Sequence, residues 1–102
     1  MTGCGAPDQS GAVSVDLANE TVIKGAVRTR DTASAVAGAY VRLLDSTGEF
    51  AAEVVSGPEG QFRFFAAPGA WTVRALSRRG TGEAVVTAEQ GLNQVVVTIT
   101  DQ

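Results

Sequence analysis

From Glu20 onward, apolar and polar residues alternate in short runs interrupted by clusters of Gly, Pro and Asp. That is the period of half-buried strands and not of helices. Seven such runs are legible. Thr21 to Arg28 puts Ile23 and Val27 on one face with Gly25 between them, where the missing side chain admits another element closely. Ala39 to Leu44 turns Ala39, Val41 and Leu43 inward and Tyr40, Arg42 and Leu44 outward. Asp45-Ser46-Thr47-Gly48 is a turn, after which Glu49 to Val55 sends Phe50, Ala52 and Val54 to the core and Glu53 to water. Gly57-Pro58-Glu59-Gly60 reverses the chain again, proline presetting the dihedral of the second turn position. Gln61 to Ala66 then aligns Phe62 with Phe64, and beyond Pro68-Gly69 a fifth run aligns Trp71, Val73 and Ala75. A loop over Arg78 to Gly82 leads to a sixth run with Ala84 and Val86, and Gln94 to Thr100 closes the set with Val95, Val97 and Ile99.

A single open sheet would leave one apolar face wet, so seven short strands without a helix predict an all-β, Greek-key sandwich of two sheets. Its core is carried by rings: burying one such aromatic contributes about 1.5–3 kcal/mol, which makes Phe62, Phe64 and Trp71 the heaviest contributors. Opposite the inward residues of the second and fifth strands lies a mixed face of Tyr40, Arg42, Leu44, Thr72, Arg74 and Leu76. Tyr40, Arg42, Leu44, Arg74 and Leu76 form the candidate partner surface, to be weighed against ordinary surface, because only contiguous patches mark recognition. Residues 1–19, rich in Gly, Ala, Ser and Asp and without apolar period, read as a flexible tail, leaving residues 20–102 as the domain.

Composition narrows the chemistry. With 102 residues the chain has room for one domain, and it contains no histidine and a single cysteine, Cys4. That removes disulfide frameworks, nitrogen-and-sulfur zinc sites and every imidazole-based dyad or triad, and no cofactor or metal is expected. A net charge of -3 repels phosphate backbones. The basic pair Arg78-Arg79 beside Gly80 and Gly82 reads as a solvated loop, so nucleic acid is not expected as a partner. No apolar run approaches the roughly 20 residues that cross a bilayer, and the first eleven residues lack a basic start and an apolar stretch, which predicts a cytoplasmic protein without a membrane contact.

The frame Gly25-Ala26-Val27, Val36 to Leu43, Gly60 to Phe64 and Pro68 to Arg74 resembles the carboxypeptidase-regulatory-like repeat over roughly residues 20–100, which implies a transthyretin-like (prealbumin-like) sandwich. The stretch Ala39 to Pro68 is similar, more narrowly, to the actinobacterial SseC-type proteins, small domains of uncharacterised function whose name ties them to sulfur metabolism. Members carry a cysteine near the start followed by Gly-Ala, and Cys4-Gly5-Ala6 looks similar, displaced by two residues after Met1. The resemblance implies a link to sulfur transfer, beside a thiosulfate sulfurtransferase.

Two functions follow as expectations. The first is a non-enzymatic accessory module docking on a sulfurtransferase or another protein, with Cys4 as a sulfur acceptor on a flexible arm. A lone thiol with no neighbouring cation keeps a nearly ordinary acidity, so its residue type alone does not argue for reactivity. The second is a structural domain, a monomer or a weak homodimer, that self-associates through a strand edge or the Tyr40, Leu44 and Leu76 face. Weaker alternatives are a hydrolase and a carbohydrate-binding module. Hydroxyisourate hydrolases share the resemblance in fold but depend on histidines and a Tyr-Arg-Gly-Ser ending, whereas this chain ends Ile99-Thr100-Asp101-Gln102. Glu49, Glu53 and Glu59 read as solvated charge, with a rim salt bridge to Arg42 or Arg74. Trp71, in the inward register, reads as core and not as a sugar platform.

Overall fold

The computed structural model describes residues 20–101, which form seven strands: β1 (Thr21–Thr29), β2 (Tyr40–Leu44), β3 (Phe50–Val55), β4 (Gln61–Phe65), β5 (Gly69–Ser77), β6 (Gly80–Ala88) and β7 (Gly91–Asp101). No helix interrupts them, and among the described residues none is long and apolar enough to cross a membrane. Strand neighbours run β3-β2-β5-β6-β7-β1-β4. The ladder bends over between β6 and β7, where pairing is confined to Gly80 opposite Asp101 and Thr81 opposite Thr100. Two layers result, β3-β2-β5-β6 and β4-β1-β7, with β3 and β4 as edge strands. β1 and β7 are parallel, in register from Thr21 opposite Gly91 to Thr29 opposite Ile99.

The core lies between the layers because each strand offers it alternate side chains: Ile23 and Val27 from β1, Val41 and Leu43 from β2, Phe62 and Phe64 from β4, Val73 and Ala75 from β5, Val97 and Ile99 from β7. The Phe62 and Phe64 rings are tilted at 55° with centroids 5.9 Å apart, within the range that favours aromatic pairs. Trp71 packs against this cluster but only partly buried, less fully than the core reading expected, and its indole Nε1 donates to the Ala67 carbonyl at 2.8 Å in an exposed position. The Gly57–Gly60 reversal is closed by the Gly60 amide donating to the Gly57 carbonyl at 2.9 Å.

Two glycines fix how closely the strands approach. A Cβ on Gly25 would collide with the Val95 carbonyl oxygen of β7 and come 2.8 Å from the tip of the Phe62 ring. A Cβ on Gly82 would strike the Thr98 carbonyl where β6 crosses β7. The close approach expected at Gly25 is therefore present. Gly82, expected in a loop, lies inside β6 because the preceding connection is a tight hairpin with Ser77 opposite Gly80.

One strand departs from the expected alternation. Leu43 stands opposite Ala52 but Leu44 stands opposite Phe50, so β3 carries an extra residue at Ala51. Paired residues share a face, and a bulge shifts everything beyond it. Phe50, expected in the core, is instead 63 % exposed on the side of Leu44, while Ala52 and Val54 keep the core side. Leu44, expected as exposed partner surface, is only 7 % exposed between Phe50 of β3 and Thr72 of β5.

Candidate functional site

The outer face of the β3-β2-β5-β6 layer is assembled by register. Tyr40 stands opposite Val55 on one side and Leu76 on the other, and Leu76 stands opposite Thr81. One step along, Arg42 stands between Glu53 and Arg74, and Arg74 stands opposite Glu83. Directly paired side chains are neighbours on one face, so the strands present an apolar row, Val55-Tyr40-Leu76, beside a charged row, Glu53-Arg42-Arg74-Glu83. Two arginines opposite each other repel. Each is drawn outward to a carboxylate: Arg42 Nε donates to Glu53 Oε2 at 2.8 Å and Arg74 Nε to Glu83 Oε1 at 3.2 Å. Both pairs are solvated and contribute at most about 1 kcal/mol each, so they organise the face more than they stabilise it.

At the Tyr40 end the face opens into a groove of about 500 Å³. Tyr40 and Leu76 form its floor, the Val36–Gly38 segment one wall, and the Ser77–Arg79 turn the other. Tyr40 is 54 % exposed there. The first wall is held by one side chain. Ser56, 4 % exposed, donates its hydroxyl to the Val36 carbonyl at 2.7 Å and accepts from the Ala39 amide at 2.8 Å. Its backbone adds bonds to the Gly38 amide and the Ala39 carbonyl. Ser56→Ala leaves a buried donor and a buried acceptor without their partner, at a cost of about 1–3 kcal/mol. Urea unfolding is expected to show that loss, and hydrogen exchange to show faster opening at the Ala39 amide; an unchanged midpoint would mean that the wall is held by the backbone bonds alone.

The opposite end of β2 is fastened separately. Asp45 Oδ1 accepts from the Thr47 hydroxyl at 2.6 Å and from the Thr47 and Glu49 amides at 2.9 and 3.0 Å. These donors, the Thr47 hydroxyl foremost, hold its carboxyl below the usual carboxylate range. A second hollow of about 400 Å³ lies on the outer face of the other layer, over Ala26. Two of its polar side chains are engaged locally: Gln61 Oε1 accepts from the Glu59 amide, and Arg28 donates to the Ala33 carbonyl. Among the described residues no group of three or more His, Cys, Asp and Glu side chains converges as a metal site.

Of the candidate surface residues, the fold brings Tyr40, Arg42, Arg74 and Leu76 together and withdraws Leu44. Cys4 lies outside the described residues. Glu53 meets Arg42 as a rim pair, as its position in the third run suggested, while Glu49 and Glu59 are exposed. Val55, Ser56 and the placement of Arg78-Arg79 beside Tyr40 were not foreseen. The arginine pair itself is visible in the sequence, but only a two-residue hairpin carries it back to the groove.

Comparison with known proteins gives a family match over residues 4–99, nearly the whole chain. The chain belongs to the DUF1416 family, described as a protein of unknown function. Two Mycobacterium tuberculosis relatives, the uncharacterized proteins Rv0814c and Rv3118, are each 55 % identical over 100 residues, covering 95 % of this chain and 99 % of theirs. An uncharacterized protein of Mycolicibacterium smegmatis is 54 % identical over 86 residues, covering 83 % of this chain and 94 % of its own. These members of the family are actinobacterial. Among solved structures, 5-hydroxyisourate hydrolase of Klebsiella pneumoniae aligns with a TM-score of 0.60 at 15 % identity, over 80 % of this chain and 91 % of the hydrolase. The major pilin subunit BcpA of Bacillus cereus aligns at 0.61 and 10 % identity, over 82 % of this chain and 31 % of the pilin. At such identities the likeness establishes the transthyretin-like sandwich and nothing of the chemistry.

Proposed function

We propose that this domain is a non-catalytic accessory module that docks a protein partner on the outer face of the β3-β2-β5-β6 layer, and that the partner is a sulfurtransferase whose sulfur Cys4 accepts. The observation that carries the docking reading is the continuity of the Val55-Tyr40-Leu76 row with the groove beside it, since contiguous exposed apolar surface is the mark of recognition. The sulfur reading draws on the resemblance of Ala39 to Pro68 to the sulfur-metabolism proteins and on a family match that begins at Cys4 itself.

In the transfer, the Cys4 thiolate attacks the outer sulfur of a persulfide on the enzyme. A new sulfur–sulfur bond forms on Cys4, that of the enzyme breaks, and its cysteine leaves as a thiolate. Thiosulfate recharges the enzyme and departs as sulfite. Incubated with a thiosulfate sulfurtransferase and thiosulfate, the wild type is expected to gain one sulfur atom by intact mass and Cys4→Ser none. Leu76→Asp, which puts a charge in the apolar row, is expected to slow the gain. A wild-type mass that stays unchanged would remove the carrier role.

A second reading, a self-associating structural domain, is favoured by the edge strand β3, which exposes Phe50 and Val55. A molar mass that rises with concentration in light scattering, and that Phe50→Lys holds at the monomer value, would establish it in place of the first.

A further inference from the structure

We infer that the groove beside Tyr40 takes an extended acidic peptide segment of the protein partner, an apolar side chain lying on Tyr40 and Leu76 and a carboxylate two residues further on meeting Arg78 and Arg79. This rests on the docking reading of the face and adds the chemistry of what is docked.

Charge selects the occupant. Half of the eight basic residues, Arg42, Arg74, Arg78 and Arg79, lie on this face or at its edge in a chain whose net charge is -3. Arg42 and Arg74 are matched by Glu53 and Glu83. Arg78 and Arg79 are exposed, and their guanidinium groups donate to no described side chain and form no ion pair with one. The groove therefore ends in positive charge that no described side chain compensates, while its floor is a phenol ring and a leucine. An all-polar anion would leave that floor uncovered. A polynucleotide would carry its next phosphates over the carboxylates of Glu53 and Glu83. A peptide satisfies both parts of the groove.

Spacing selects the form. Arg78 lies two residues past Leu76, and an extended peptide presents its residues i and i+2 on one side about 7 Å apart. One apolar residue and one acidic residue at that interval reach the floor and the arginines together. Carboxylate and guanidinium then pair in the bidentate geometry that arginine favours. The site is built before the peptide arrives, since Ser56 holds one wall and the hairpin holds the other, where Ser77 Oγ donates to the Gly80 carbonyl and accepts from the Arg79 amide, both at 3.1 Å.

The test is fluorescence anisotropy with a labelled peptide containing Leu-Ser-Glu-Glu between Gly-Ser flanks, against the same peptide with Lys-Lys in place of Glu-Glu. The acidic peptide is expected to bind wild type at least about tenfold more tightly, a margin that added salt erodes. The double variant Arg78→Glu and Arg79→Glu is expected to reverse the preference and bind the Lys-Lys peptide, a gain that misfolding cannot produce. Tyr40→Ala is expected to weaken the acidic peptide without altering the charge preference. Equal binding of the two peptides, or an unchanged preference in the double variant, would overturn the inference, as would a concentration-dependent dimer that Tyr40→Ala abolishes, which places a second copy in the groove. A sulfurtransferase that binds through Leu76 but ignores the double variant removes the acidic segment alone. Peptides that bind by charge while the enzyme does not bind remove the sulfurtransferase alone.

Discussion

Gly25→Ala is expected to cost more than about 3 kcal/mol, a large part of the roughly 5–15 kcal/mol that holds a small domain folded. The added methyl group would occupy the space of the Val95 carbonyl oxygen and press on the Phe62 ring. The ring can turn away; the carbonyl belongs to β7, paired with β1 from Gly91 to Ile99, and cannot move without opening that ladder. Combining Gly25→Ala with Phe62→Leu is therefore expected to recover little. Urea unfolding followed by circular dichroism measures both variants. A Gly25→Ala protein with the wild-type midpoint would show that β1 and β7 are further apart than described.

Phe62→Ala is expected to cost about 3–5 kcal/mol, the transfer of a buried ring plus the void it leaves. Phe62 is 1 % exposed, tilts against Phe64 and brings the tip of its ring up to Gly25. Phe65 supplies the control: it belongs to the same strand, points the other way and is 53 % exposed. Phe65→Ala is expected to cost clearly less, about 1–2 kcal/mol, since only half of the ring is covered, beside Val22. Similar losses for the two substitutions would contradict the assignment of faces in β4.

The contrast between these neighbours shows why so much of the fold could be read from residue order. Where one face of a strand is buried, a period of two is imposed on it, and Ile23, Val41, Phe62, Val73 and Val97 all fall on the expected side. The reading failed where pairing and not pattern decides. Phe50-Ala51-Ala52 alternates as well with Phe50 inward as outward, and only the extra residue opposite β2 settles it, carrying Leu44 out of the exposed surface. Gly82 misled for a related reason. Glycine breaks strands in general, but here it is required within one because another backbone passes where its side chain would be. For the site, Tyr40, Arg42, Arg74 and Leu76 were legible singly as outward positions of two runs. Their adjacency was not, since it depends on β2 lying against β5, and strand order is not written in any local motif. Ser56, between Val55 and a glycine-rich turn, carries no local sign of the buried bonds it makes across twenty residues of chain to Val36.

The parallel alignment of β1 with β7 has a consequence for how the molecule is made. Among the described strands β1 finds its longest partner in β7, so a partly synthesised chain can close its β2-β3 and β5-β6 hairpins and pair β1 with β4, but leaves the other edge of β1 open until residues 91–99 arrive. Such distant pairing places folding among the slow, millisecond-to-second class. During that interval the unpaired edge of β1 is open to capture by a chaperone or by another nascent copy.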